Sequence, residues 1–309
     1  MVIIMAKNKK KRRSQAPIAL VYFSTMVVFI LIFGAIAIGL MNKMVLEPQS
    51  LSSSSSVEDS TPTDENNQTF FYMVKDDGNK LETAMLARFM PADGKILIVP
   101  LSPYTTASAD GTGQTINQIF QSSGAAETTK AVSETLDISI DRYMSMGQDC
   151  FENLCDNFGS ITYEVIENMY YVDKNSDDIV NYSKGDKISL QGSQIRMFIT
   201  YPKYKDGNSQ NVLVAGEFMK SLINSGFKLQ TTRDNLDSIY SNLMKESSEK
   251  NFSVNDFEET KEFYYYVMDN FDNPADMLTP TGTWSEKQYK FTFDEAFKTQ
   301  LKSAFKIEQ

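Results

Sequence analysis

The sequence predicts a three-layer α/β or α+β domain displayed outside the cell behind a single transmembrane helix. Three observations predict it: a charge-free apolar run near the amino terminus, a polar serine-rich stretch after it, and strand-like and helix-like segments that alternate over residues 70–309. The 309 residues carry Lys+Arg 30 against Asp+Glu 40, a formal net charge of -10, two cysteines and no histidine. Without imidazole there is no Ser-His-Asp or Cys-His nucleophile pair, no His-ligated zinc and no His proton shuttle. The acidic balance also argues against nucleic acid as a partner, because phosphate binding needs a basic face.

Residues 1–16 form a basic tail with Lys7, Lys9, Lys10, Lys11, Arg12 and Arg13 and no acid. No charged residue lies between Ser14 and Asn42, and residues 17–41 read PIALVYFSTMVVFILIFGAIAIGLM. At about 1.5 Å per residue this run exceeds a hydrocarbon core of roughly 30 Å, so it is expected to be an uncleaved signal anchor. The cationic tail places the amino terminus in the cytoplasm and everything after it outside, in the cell membrane with an extracellular domain. KNKKKRR is accounted for by that topology and by anionic lipid.

Residues 42–69 are expected to be a disordered extracellular linker, since EPQSLSSSSSVEDSTPTDENNQT holds almost nothing to bury. Residues 70–309 make the folded domain. Seven cations and five acids precede residue 69, leaving 23 against 35, or -12, for the remainder.

Within that domain TAMLARFM, PADGK and ILIVPL predict a β-hairpin turning at Asp93-Gly94. INQIFQ and ETTKAVSETL have helical spacing. RYMSMG followed by CFENLCDNFG predicts a strand running into a helix that ends at Gly159. ITYEVIENMYYV alternates as a strand does, and VLVAGEFMKSLINSGF predicts an amphipathic helix closing at Gly226. In residues 231–309, TTRDNLDSIYSNLMKESSE reads as helix and MLTPTGTWSEKQYKFTFDEAFKTQLKSAF as turn, strand and closing helix, and the whole segment is too aromatic for a tail.

Single motifs carry little chemistry. Cys150 and Cys155 lie outside the membrane, where a disulfide is permitted, but five positions apart on a helix they point to different faces, which favours two buried free thiols. Asp173, Asn175 and Asp177 have the spacing of a calcium loop, yet Asp178 is not Gly and Lys184 is not Glu, so a solvated acidic turn is expected. Gly111-Thr112-Gly113 lacks any phosphate-loop continuation.

The order of segments says more. ETAMLARFMPADGKILIVPLSPY, TINQIF, VSETLDISIDRYMSM, NFGSITYEV and KGDKISLQG with the helix after it, from residue 70 to 227, resemble the LytR-CpsA-Psr family of Gram-positive envelope proteins. TGTWSEKQYKFTFDEAFKTQLKSAF is similar to that domain's last strand and helix. The resemblance implies a central mixed sheet flanked by helices, and an activity that moves a glycopolymer from polyprenyl pyrophosphate to peptidoglycan. Arginines and magnesium would hold the pyrophosphate.

Position by position the chain departs from that pattern. Glu82-Thr83 stands for the family's Asp-Thr and leaves Glu82 as a candidate magnesium ligand. Where the family has Ile-Pro-Arg-Asp-Thr-Tyr, this chain has Val99, Pro100, Leu101, Ser102, Pro103 and Tyr104. After Leu190-x-Gly192 the family has a Tyr-x-Arg-x-Arg strand, and here Phe198, Thr200 and Pro202 stand in it. Its Arg-x-x-Arg-Gln is NSQNV, Asn208 to Val212, with Arg196, Lys203 and Lys205 the nearby cations. Asn117, Asp141, Tyr143, Gly159, Gly185 and Gly192 match positions used for turns and packing.

The candidate pocket residues are therefore Glu82, Ser102, Tyr104, Lys203 and Lys205, with no confident catalytic residue and no expected cofactor. The expectation is a non-catalytic, membrane-tethered relative that binds a lipid-linked glycan in an apolar cleft, or an envelope protein. The alternative is a divergent phosphotransferase with displaced cations, dependent on magnesium. A third reading, indirect transcriptional attenuation, has to work through a cytoplasmic segment too short to fold on DNA.

Overall fold

In a computed structural model of the chain, residues 61–107, 113–172, 179–285, 287 and 289–307 are described. The expected basic tail, membrane span and most of the linker lie outside the described residues, as do Asp173, Asn175, Asp177 and Gly111-Thr112. Among the described residues no helix is long and apolar enough to cross a membrane.

The domain begins earlier than the expected boundary at residue 70. Asp64–Asn66 form a 3-10 turn capped by Thr63, and the first strand, β1, starts at Gln68 and runs to Lys75. Asp64 is tied to Lys306 Nζ at 3.0 Å, which orders this polar stretch through contacts that its composition does not show.

The expected hairpin is β2 (Leu81–Met90) and β3 (Lys95–Leu101). Gly94 turns between them with φ +60°, and a side chain there would run into the ring of Phe271. A central six-stranded sheet adds β4 (Arg142–Gly147), β9 (Glu249–Lys250) and β10 (Ala275–Met277) in the order β10-β3-β2-β1-β4-β9. It is mixed: β1 runs antiparallel to β2 and parallel to β4, and β10 runs parallel to β3.

Both faces of the sheet are covered, which is why β1 reads as a continuous apolar run. Phe71 and Met73 point into one core with helices α1 (Ile116–Leu136) and α8 (Glu295–Ala304), through Phe120, Leu136, Phe297 and Leu301. Phe70 and Val74 point into the other, beneath α2 (Gln148–Asn157), α3 (Gly192–Ile199), α4 (Asn208–Gly226) and α7 (Val254–Asn270). Between α4 and α7 come the short α5 (Gln230–Asp234) and α6 (Leu236–Glu246). The two expected helical stretches at INQIFQ and ETTKAVSETL form the single α1, bent at Gly124 (φ +81°), where Glu249 Oε2 accepts the N–H of Ala125 at 3.0 Å.

Two expectations are corrected. ITYEVIENMYYV is not one strand but β5 (Ile161–Glu164), paired with β8 (Lys187–Leu190), and β6 (Met169–Val172), paired with β7 (Ile179–Tyr182). The break follows Val165, which is buried and exchanges backbone bonds with Gly185 and Asp186, and Glu167 turns inward to accept the N–H of Lys205 at 3.2 Å. The segment through Phe198 is the helix α3 rather than a strand, because Ile195, Phe198 and Ile199 bury at helical spacing behind the Gln191–Gln194 capping box. The closing segment is a hairpin, β11 (Gly282–Trp284) with β12 (Phe291–Phe293), followed by α8.

Candidate functional site: an apolar cavity beside a buried ion cluster

Alternate residues of β1, β2 and β3 floor a cavity of about 190 Å³: Tyr72, Val74, Met85, Ala87 and Ile98 from the sheet meet Phe151, Leu222, Leu243 and Phe257 from the helices above. Among the described residues no charged side chain lines it. Its polar atoms come chiefly from the phenols of Tyr72, Tyr240 and Tyr264, of which Tyr240 donates to Ser253 O at 2.9 Å. Burial pushes the Tyr264 hydroxyl up to about 12 and raises those of Tyr72 and Tyr240 above their ordinary value, so all three stay neutral. A lining of this kind is suited to hydrocarbon.

Glu82 stands on the same side of the sheet. Val74 pairs with Thr83 but Lys75 pairs with Leu81, so Glu82 is the extra residue of a β-bulge, which aims its side chain at the helices. There Gln148 Nε2 donates to Glu82 Oε1 at 2.7 Å and Arg196 Nη1 lies 3.4 Å from the same oxygen. Arg196 Nε donates to Glu152 at 2.5 Å. The three charged side chains are only 16%, 12% and 22% exposed for Glu82, Arg196 and Glu152. Burial raises the Glu82 pKa from its ordinary 4.5, against the opposing pull of Arg196 and Gln148.

The other candidates do not converge on Glu82. Ser102 is buried, and its Oγ accepts the N–H of Tyr104 at 3.1 Å. It lines a second, smaller cavity of about 140 Å³ with Pro100, Thr105, Leu213 and Trp284, where Thr105 Oγ1 has no partner. Tyr104 packs edge-on against Tyr289 with ring centroids 5.9 Å apart. Lys203 donates to Tyr170 O at 3.3 Å and lies over the ring of Tyr171, and the Lys205 backbone is held by Glu167. Lys203 is thus committed to the β6–β7 hairpin rather than to a phosphate pocket.

The LytR_cpsA_psr family matches residues 59–296, well over half of the chain. The chain belongs to that family. Among solved structures, a putative transcription regulator from Eubacterium siraeum superposes with TM-score 0.70 at 21% identity, covering 82% of this chain and 97% of that one. TagV of B. subtilis gives 0.62 at 17%, covering 78% and 96%, and TagT bound to LI-WTA gives 0.58 at 13%, covering 78% and 89%. At these identities the likeness establishes the fold alone. No curated protein matches the chain by sequence.

Membership places the chain among proteins of cell-wall glycopolymer attachment. Against the LytR-CpsA-Psr pattern, the positions of the motif arginine and aspartate, Leu101 and Ser102, are 2% and 3% exposed, with Leu101 packed in the core and Ser102 on the wall of the smaller cavity. Thr200 and Pro202 follow α3, with Thr200 Oγ1 donating back to Arg196 O at 2.9 Å. The magnesium implied by the family does not fit this site. Among the described residues no three Asp, Glu or Cys side chains gather to hold a metal, and Glu82 Oε1 already faces a guanidinium, which leaves the buried Oε2 as a lone ligand.

The scaffold positions have structural partners. Asn117 Oδ1 accepts the N–H of Leu81 at 2.8 Å, Asp141 Oδ2 accepts that of Thr69 at 2.7 Å, and Gly159 and Gly185 have φ near +90°. Cys150 and Cys155 are free and buried. Sequence reasoning missed Gln148 as a partner of Glu82 and Glu152 as a partner of Arg196, and placed Arg196 outside the motif register without assigning it a role. The signal for the cavity was the aromatic residues of α6 and α7, read only as a sign of folding.

Proposed function

We propose that this protein is a non-catalytic, membrane-anchored member of the LytR-CpsA-Psr family, exposed on the outer face of a Gram-positive cell, that binds the apolar chain of a lipid-linked envelope glycan. The observation that carries this reading is the charge-free cavity between the sheet and α2, α4, α6 and α7, set beside motif positions that hold Leu101, Ser102, Thr200 and Pro202. An apolar chain gains about 25 cal/mol for each Å² it buries there, whereas a pyrophosphate finds no arginine fork. The anchor and the tether serve to keep the cavity within reach of a lipid in the same membrane.

The assay is phosphorus NMR of a prenyl pyrophosphate incubated with the protein, magnesium and peptidoglycan fragments. The proposal expects no phosphate release and no transfer. Magnesium-dependent release that disappears in Glu82→Ala would establish the second reading, a divergent phosphotransferase, which Arg196 beside Glu82 favours as a displaced cation.

A further inference from the structure

The geometry points to Arg196 as a built-in counter-ion for Glu82, a fixed guanidinium in place of a divalent metal, which holds Oε1 while Oε2 stays buried without a hydrogen bond among the described residues. Three elements converge to hold it. The bulge in β2 turns Glu82 inward, Gln148 in the first turn of α2 fixes its Oε1, and Glu152 one turn later on α2 grips Arg196 Nε. Helix α3 runs antiparallel against α2 at close range. A Cβ on Gly192 would lie 2.7 Å from Asp156 Oδ1, and one turn further along each helix Arg196 meets Glu152. This close approach at Gly192, whose φ is +23°, sets the depth at which the guanidinium enters.

A magnesium ion reaching Glu82 Oε1 would have to displace Arg196 from a position where its side chain is 12% exposed. Arg196 also lies in the last turn of α3, where the helix dipole favours a positive charge. Magnesium would in addition need to shed most of its water for one carboxylate, which it does reluctantly.

The test uses the full chain with no lipid or nucleotide present, so its outcome is separate from that of the lipid-binding proposal. Electron paramagnetic resonance of Mn²⁺ measures binding, and thermal melts with EDTA or Mg²⁺ measure its effect on folding. The natural chain is expected to leave Mn²⁺ free and to melt at one temperature in both media. Arg196→Gln is expected to melt lower by roughly 10 °C, the cost of an uncompensated buried carboxylate in a domain of this size, and to recover part of that on adding Mn²⁺. Arg196→Gln with Glu82→Gln is expected to melt above Arg196→Gln and to ignore the metal. Should Arg196→Gln fail to fold, Arg196→Lys, which keeps the charge, is expected to fold and to leave Mn²⁺ free. One Mn²⁺ bound by the natural chain and lost in Glu82→Gln overturns the inference. So does Mn²⁺ bound by Arg196→Lys, or an Arg196→Gln that melts with the natural chain or gives no response to Mn²⁺.

Discussion

Glu82 Oε1 lies 3.4 Å from Arg196 Nη1, an ion pair that closes across 114 positions of sequence and fastens α3 to the central sheet. Its carboxylate is raised above 4.5 by burial, so the folded protein binds a proton at Glu82 more readily than the unfolded chain does. Stability from this group is therefore fully present below about pH 4.5 and is lost as pH rises through the folded value. Urea denaturation from about pH 4 upward is expected to show a stability fall that Glu82→Gln reduces. An unchanged slope in Glu82→Gln contradicts the assignment.

Filling the cavity should separate binding from folding. Ala87 lines it, and Ala87→Phe places a ring in the space a lipid chain needs. Binding of a fluorescent prenyl analogue is expected to weaken by about tenfold or more, the equivalent of roughly 1.4 kcal/mol, with little loss of melting temperature. Equal affinity in the variant would mean that the ligand binds elsewhere.

The thiols give a second pH statement. Burial pushes Cys150 up to about 11 and Cys155 beyond that, and neither is paired. Because the thiolate is the reactive form, both are expected to resist iodoacetamide at about pH 8 in the native protein and to react in guanidinium. Labelling of Cys155 in the native state would place α2 in a more open arrangement than its buried face suggests.

Gly94 reports on the hairpin. Its φ of +60° and the ring of Phe271 against it predict that Gly94→Ala costs about 1–3 kcal/mol in chemical denaturation. A loss under about 0.5 kcal/mol would show that Phe271 moves aside freely.

The sheet was legible because its signals are local. Asp93-Gly94 between two apolar runs fixed the hairpin, and the alternation of Phe70, Tyr72 and Val74 against Phe71 and Met73 follows from the pleat. The break after Glu164 was not legible, since Ile161 to Val172 alternates throughout and only the inward turn of Glu167 toward Lys205 interrupts it. The ion cluster is less legible still. Glu82, Glu152 and Arg196 sit on three separate elements, and a bulge that shifts register by one residue leaves no mark in composition. The cavity needs the aromatic faces of α6 and α7 to meet β1 and β2, a long-range event that periodicity within one helix does not encode.

The central claim, that this protein holds an apolar chain and has given up metal-assisted phosphate chemistry, is tested most directly by calorimetry. A soluble prenol and its pyrophosphate would be titrated into the full chain, each with and without magnesium. The account predicts that both ligands bind and that magnesium alters neither affinity. Binding of the pyrophosphate alone, tightened by magnesium, would contradict it.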